Sequence, residues 1–263
     1  MPTIERPESN KDSENKFSSC AFCGNFEPKK GSTTEEFPLI YPNLSESGQV
    51  IDYSENLVLI PDIAPLVQDH LLLVTSVHIP SFANILESNH DEASVFITKT
   101  VSRMKELHPD SEIVTFEHGV GTIQGQIVQC GSCGSTDHAH LHILPVPKEQ
   151  QPISSILLNE ITSDFDLRIE KLAPLPNLDV KEHVGNFPYL YLWSSSSESA
   201  HLLVQESLST QVPSQLIRKL LATRFLGVNE NERVNWDWRD FVIFYQQSGE
   251  QMVAETMRNW LEA

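Results

Sequence analysis

Three histidines in the segment His-Ala-His-Leu-His-Ile-Leu-Pro-Val, residues 138–146, constrain the fold of this chain more than any other feature. His138, His140 and His142 occupy alternate positions, with apolar residues between them. A period of two is the pattern of a β-strand with one apolar face. Side chains on one face of a strand lie about 6.5 to 7 Å apart, so the imidazoles can line one cavity. The segment therefore predicts a half-buried strand that carries an imidazole ladder.

The chemistry of imidazole indicates what such a ladder is for. Imidazole titrates near neutrality, attacks phosphorus through an unprotonated nitrogen and passes a proton through its other nitrogen. Several imidazoles at one cavity can divide these roles, which suits reactions at phosphorus. The alternative at this point is a polar strand face without a catalytic role.

The charge of the chain limits its partners. A formal net charge of −18 repels phosphate backbones, and no basic block offsets it, so we expect no nucleic-acid partner. A small anion remains compatible, because backbone amides and imidazoles can hold phosphate. No apolar stretch is long enough to span a membrane, and residues 1–16 carry no apolar targeting core. We therefore expect a cytoplasmic protein without a membrane partner.

The remaining sequence mixes strand and helix patterns and predicts an α+β fold. Segments rich in apolar and β-branched residues predict strands at 56–62, 70–76, 111–119, 187–193 and 200–207. Helical apolar spacing predicts helices at 81–108, 149–162, 212–227 and 250–263. Residues 119–134 are expected to form a loop. Trp236 and Trp238 alternate as strand or loop residues do, and we expect them to pack in the core.

Four cysteines form two C-x-x-C pairs, Cys20 with Cys23 and Cys130 with Cys133. In a chain without an apparent secretion signal, this spacing favours metal or redox chemistry over structural disulfides. C-x-x-C is the usual first half of a tetrahedral zinc site. The spacing leaves open a four-cysteine site, a mixed site with histidine, and free thiols or a redox pair.

The histidine segment resembles the motif of the histidine triad (HIT) superfamily, in which three histidines alternate with apolar residues. A second block agrees, because Asp62, Pro65, His70 and His78 fall at the spacings of the upstream HIT signature. The resemblance covers residues 17–147. It implies a HIT-like domain there, with an antiparallel sheet, helices and a zinc-binding arm. A disordered tail would precede it at 1–16, and a C-terminal α+β extension would follow at 148–263.

The resemblance also implies roles for individual residues. His140 is the expected nucleophile, which attacks the α-phosphorus of a nucleotide and carries a transient nucleotidyl group. His142 and His70 contact the phosphate and help the leaving group depart. Asp62 holds the ribose hydroxyls. Taken alone, Asp62 is typical of a turn and His70 of a hydrogen-bonded core histidine.

Four further residues complete the implied nucleotide-binding set. Gly134 lets the backbone approach the phosphate, and Ser135 offers it a hydroxyl. Glu117 and His118 stand before a longer loop than small HIT hydrolases have, and we expect them to shape leaving-group recognition. The alternative for Glu117 and His118 is a solvated strand end.

The third histidine bears on the reaction class. HIT branches that transfer nucleotides usually carry glutamine there, so His142 implies a hydrolase acting on an AMP-like nucleotide or a dinucleoside polyphosphate. Two alternatives stay open. One is a nucleotidyltransferase or dinucleoside polyphosphate phosphorylase, in which another acceptor replaces water. The other is a nucleotide-binding interaction module with little turnover.

The resemblance assigns the metal as well. By the family pattern, Cys20, Cys23, His78 and His138 hold a structural Zn²⁺, whereas the competing site joins Cys130 and Cys133 to the first pair. Small HIT proteins dimerise to complete their sites. The resemblance therefore allows a homodimer, or a C-terminal extension that takes the place of one.

Overall fold

One large antiparallel sheet organises the protein. The structure, a computed structural model, describes residues 20, 22–23, 29–34, 37–123, 126–128, 138–174, 180–207, 212–228 and 238–261. The strands in these ranges are β1 (Asp52–Tyr53), β2 (Leu57–Pro61), β3 (Leu71–Thr75), β4 (Ser111–Gly119), β5 (Gly121–Ile123), β6 (Gln126–Val128), β7 (His140–Pro147), β8 (Arg168–Leu172), β9 (Tyr189–Ser194) and β10 (Ala200–Val204). The α-helices are α1 (Phe37–Ile40), α2 (His90–Leu107), α3 (Ile153–Asp164), α4 (Lys181–Val184), α5 (Leu216–Phe225) and α6 (Trp238–Leu261).

Eight strands form the sheet in the order β1-β2-β3-β7-β4-β9-β10-β8, and β5 pairs with β6 in a separate hairpin. Every neighbouring pair is antiparallel. The predicted α+β class with an antiparallel sheet is therefore confirmed. The sheet continues across the domain boundary expected between residues 147 and 148. The strand β4 pairs with β7, which precedes this boundary, and with β9, which follows it.

Both faces of the sheet are covered, which explains why its central strands are nearly continuous apolar runs. All residues of β2, β3, β9 and β10 are buried. Alternation along β3 sends Leu71 and Leu73 to the cluster that includes residues of α2 and α6. It sends Leu72 and Val74 to the opposite face, which also carries a cluster built with α3 and α5. The strand β7 lies in the middle of the sheet, between β3 and β4, and its side chains contribute to the clusters on both faces.

The structure corrects several expected elements. The helix predicted from residue 81 begins as an α-helix only at His90, after two short 3-10 turns, and Val95 points to solvent with 70% exposure. The hairpin of β5 and β6 lies in the segment expected to be a loop. The edge strand β8 was not predicted, since its sequence Arg-Ile-Glu-Lys-Leu is mostly charged and contains one β-branched residue.

The last helix is longer than predicted. It begins at Trp238 rather than near Glu250, so the strand or loop expected around Trp238 is wrong. Aromatic and β-branched residues between 238 and 245 are also common in strands, so their local preference did not indicate a helix. Trp236 lies outside the described residues. Among the described residues, no helix has both the length and the apolar character needed to cross a membrane.

A buried carboxylate connects α6 to the sheet. Asp69, fully buried, has a left-handed backbone with φ of 62°, two residues before the start of β3. Its backbone N–H donates to Thr256 Oγ1 at 2.8 Å. Its carboxylate accepts from Trp260 Nε1 at 3.1 Å and Asn259 Nδ2 at 3.3 Å, and lies 2.6 Å from His108 Nε2. The end of α6 thereby braces the turn that leads into β3.

We expect Asp69→Ala to lower the free energy of unfolding by about 2–4 kcal/mol, because it leaves buried donors unpaired and places a Cβ-bearing residue at positive φ without a compensating bond. Asp69→Gly should cost about 1 kcal/mol less, since glycine accepts this conformation. Urea unfolding of both variants tests this. An alanine variant as stable as the glycine variant would contradict the strained backbone.

Candidate functional site

Three imidazoles meet at the middle of the sheet, and we call His70, His140 and His142 the imidazole cluster. His140 and His142 lie on one face of β7, with ring centroids 5.1 Å apart. The ring of His70 lies 5.2 Å from that of His142. Phe116 of β4 stacks on His142 at 4.4 Å, with 9° between the ring planes. His138, which precedes β7, instead turns toward the cysteines, so the expected ladder of three divides into two parts.

Hydrogen bonds define which nitrogen of each ring carries a proton. His140 Nδ1 lies 2.7 Å from the carbonyl oxygen of His138, which can only accept, so Nδ1 is the protonated nitrogen. In the neutral ring, the lone pair of His140 is therefore on Nε2. Burial lowers the pKa of His140, which favours that neutral ring.

The other two rings form a short relay. The N–H of Leu66 donates to His70 Nδ1 at 3.1 Å, so this nitrogen is unprotonated and His70 carries its proton on Nε2. That proton faces His142 Nδ1 at 3.0 Å, which places the proton of His142 on its Nε2. Burial lowers the pKa of His70 to about 3 and holds the pKa of His142 well below its ordinary value. Both rings are neutral acid-base groups.

Asp62 lies against this relay and is only 4% exposed. Its Oδ1 accepts the N–H of Ala64 at 2.7 Å. Its Oδ2 lies 3.4 Å from His70 Nε2 and 3.5 Å from His142 Nδ1. Burial alone would raise the pKa of Asp62, but the Arg218 guanidinium, followed by His70 and His142, holds it well below its usual range. Asp62 is therefore an ionised carboxylate inside the site.

Arg218 is a site residue that the sequence analysis missed. It belongs to α5, and its Nη1 lies 2.5 Å from Asp62 Oδ2 while its Nη2 donates to the carbonyl of Ala64 at 2.5 Å. One signal was available in the sequence. Arg218 follows Ile217 and precedes Leu221 by one turn, so a cation stands within the apolar stripe that α5 buries.

Cys20, Cys23, His78 and His138 form a second group, which we call the Cys/His group. Their four ligand atoms lie within 4.8 Å of one another. His138 Nδ1 lies 3.6 Å from the sulfur of Cys20 and 3.7 Å from that of Cys23, and His78 Nδ1 lies 3.1 Å from Cys23 Sγ. Sulfur and nitrogen ligands of one tetrahedral zinc lie about 3.6 Å apart, given the usual bond lengths. The group can therefore hold a metal ion.

A further contact supports this arrangement. His138 Nε2 lies 2.8 Å from the carbonyl oxygen of Thr75, so Nε2 carries the proton and Nδ1 offers its lone pair to the sulfurs. Between the two cysteines, Phe22 places its ring 5.5 Å from that of His140 and 5.6 Å from that of His138. Phe22 thus links the Cys/His group to the imidazole cluster, and no motif pointed to it.

Glu117 and His118, the two residues expected to recognise the leaving group, lie on opposite faces of β4. His118 Nδ1 donates to the carbonyl of Ser214 at 3.2 Å, just before α5, and burial lowers the pKa of His118 to about 4, with a smaller contribution from His140. Glu117 faces the other side of the sheet because neighbouring residues of a strand alternate. Its carboxylate accepts the N–H of Phe82 at 2.8 Å and the hydroxyl of Tyr189 at 2.5 Å. Glu117 does not reach the imidazole cluster.

Four residues considered from the sequence lie outside the described residues, namely Gly134, Ser135, Cys130 and Cys133.

Comparisons with known proteins are limited to solved structures. No protein-family model and no curated protein matches the chain. Among the structures that match is yeast Ap4A phosphorylase Apa2 in complex with Ap4A, with 16% identity, coverage of 87% of this chain and 83% of that chain, and a TM-score of 0.38. Apa2 in complex with AMP shows 14% identity, 69% and 68% coverage, and a TM-score of 0.36. A third Apa2 structure shows 14% identity, 79% and 74% coverage, and a TM-score of 0.33. Similarity this low does not establish a family or a function for the chain.

Glu117 makes the stability of the protein depend on pH. Burial raises its pKa to about 7 from an ordinary 4.5, although Tyr189 and Phe82 donate to it. Between these values the native protein keeps a proton that the unfolded chain has released, so rising pH favours unfolding. Relative to Glu117→Gln, the wild type should lose on the order of 3 kcal/mol of stability from about pH 4.5 to 7. Urea unfolding across this range measures the difference. Parallel curves for the two proteins would show that Glu117 is ionised in the native state.

Proposed function

We propose that the protein is a HIT-type nucleotide hydrolase that works through a covalent nucleotidyl-histidine. The observation that carries this proposal is the bond from His140 Nδ1 to the His138 carbonyl, because it directs the lone pair of His140 to Nε2. A neutral ring with a defined tautomer, beside a second imidazole that carries its proton on the outer nitrogen, has the parts that nucleophilic attack on phosphorus needs.

The proposed reaction has two steps. His140 Nε2 attacks the α-phosphorus, the N–P bond forms, and the bond from phosphorus to the leaving oxygen or nitrogen breaks. The Nε2–H of His142 donates a hydrogen bond to the leaving atom, because loss of a proton from this neutral ring would leave an imidazolate, and the leaving group takes its proton from solvent. Water then attacks phosphorus, the N–P bond breaks, and the proton released by the water passes to solvent. The products are a nucleoside monophosphate and the protonated leaving group.

The substrate class follows from the motif resemblance. We infer an AMP-like nucleotide joined through a phosphoanhydride, phosphoramidate or ester, with dinucleoside polyphosphates as one form. His142 at the third triad position favours water as acceptor over phosphate or a sugar phosphate. Asp62 is engaged by Ala64 and Arg218, so its expected contact with ribose requires that these bonds rearrange.

We also propose that the Cys/His group holds a structural Zn²⁺. Burial, together with Cys20, raises the pKa of the Cys23 thiol to about 12, so a thiolate there needs a bound cation to stabilise it. Two thiolates and two imidazoles are a donor set that zinc prefers. The ion would tie the N-terminal arm to the residue whose carbonyl orients His140. The chemical step itself uses imidazoles.

His140→Ala should lower kcat by about a thousandfold or more, because it removes the attacking nitrogen. His90→Ala, at the start of α2, is the matched control and should keep wild-type turnover. Diadenosine polyphosphates and adenosine phosphoramidate are the test substrates. Mass spectrometry of enzyme quenched during turnover should show a nucleotidyl adduct in wild type and none in His140→Ala.

The products distinguish the alternatives. Added inorganic phosphate should leave the products unchanged if water is the acceptor, whereas a phosphorylase would release a nucleoside diphosphate. Equal rates for wild type and His140→Ala, with AMP bound by both, would contradict the enzyme and favour a binding module.

Metal analysis of the purified protein should give about one zinc per chain. Cys20→Ser should lower zinc affinity by more than about 100-fold, because it removes a thiolate ligand. Cys133→Ser is the matched control and should retain the metal. Loss of zinc from Cys133→Ser but not from His78→Ala would instead indicate the four-cysteine site.

A further inference from the structure

Arg218 and Asp62 lie 156 positions apart in the sequence and pair next to the imidazole cluster. Arg218 is only 6% exposed, and Asp62 is similarly buried. A buried ion pair loses hydration on both sides, and well-packed apolar side chains often replace such pairs without loss of stability. Holding α5 against the sheet therefore does not by itself account for an arginine at this position. An ion pair at this position therefore indicates a function that requires a charged side chain.

Two of the three rings in the imidazole cluster carry no positive charge. His70 Nδ1 accepts from the Leu66 N–H, and His142 Nδ1 faces the His70 proton, so hydrogen bonding keeps both rings neutral. Asp62 adds a negative charge. A nucleotide phosphate would bring further negative charge into a protein whose net charge is already −18. Such an anion needs a fixed cation nearby.

Arg218 meets that need. Its guanidinium stays charged at any working pH and carries five N–H donors in a planar fork. One bond to Asp62 and one to Ala64 use two of them and hold the fork beside the relay. The charge of Arg218 also reaches His70, where it is among the causes of the lowered pKa. A guanidinium held in this way is preorganised to receive phosphate oxygens.

We propose that Arg218 contacts the phosphate of the nucleotide bound at His140, and that Asp62 holds the guanidinium in place for this contact. The inference rests on the proposed function and adds a phosphate-binding residue from α5, outside both blocks of the motif. It also assigns Asp62 a positioning role in place of the expected contact with ribose.

The test compares two probes that differ only in the phosphate. Calorimetry should show that wild type binds AMP more tightly than adenosine. Arg218→Met should weaken AMP binding by about 10- to 100-fold and leave adenosine binding unchanged. It should also flatten the salt dependence of AMP binding. Arg224→Met is the matched control on the same helix, since Arg224 is exposed and pairs with Glu160, and it should bind both probes as wild type does.

A second pair of variants separates this role from a purely structural one. Asp62→Asn with Arg218→Met removes both charges, so no buried charge is left unpaired, and the double variant should fold and still lack the preference for AMP. Asp62→Asn alone should weaken AMP binding more than adenosine binding. If Asp62 bound ribose instead, this variant would weaken both probes equally.

Three results would overturn the proposal: equal loss of AMP and adenosine binding in the folded Arg218 variants, unchanged AMP binding in them, or no preference for AMP in wild type. Failure of the proposed catalysis is distinguishable from these. A wild type that prefers AMP through Arg218 but forms no adduct on His140 would contradict the covalent mechanism and support the phosphate contact.

Discussion

The carboxylate of Asp62 is the point on which the interior of this protein depends. It accepts from Ala64 in its own turn, contacts both rings of the histidine relay and pairs with Arg218 of α5. An ionised carboxylate without such partners would be strongly unfavourable in this interior. The turn after β2, the strand β7 and the helix α5 must therefore assemble together. The continuous sheet also joins these parts of the chain, since β4 pairs with β7 on one side and with β9 on the other.

The segment from His138 into β7 serves both groups, because different residues along it contribute to each group. The His138 side chain turns to Cys20 and Cys23, while its carbonyl oxygen accepts from His140. Two residues later the chain presents the proposed nucleophile, and two residues further it presents the relay histidine. A metal ion at the Cys/His group would consequently stabilise the backbone that orients His140. This coupling is local, and it requires no movement of a domain.

Much of the sheet was predictable because its strands are apolar runs bounded by turn residues, as at 56–62, 70–76 and 111–119. The Cys/His group was also predictable, through the family resemblance and the C-x-x-C spacing. The beginning of α6 was not, because its aromatic residues are equally compatible with a strand. The orientation of Glu117 follows from alternation along β4, but the sequence does not say which face of that strand meets the ladder.

By itself, the sequence determined the fold class, the ladder strand and the chemical identity of the groups that surround it, because periodicity and residue type are local properties. Only the tertiary structure decided which nitrogen of each imidazole carries a proton and that Arg218 pairs with Asp62. These features depend on contacts between residues as much as 156 positions apart. No local pattern encodes the partner in such a contact, since burial and pairing are established only when the sheet and its helices pack together.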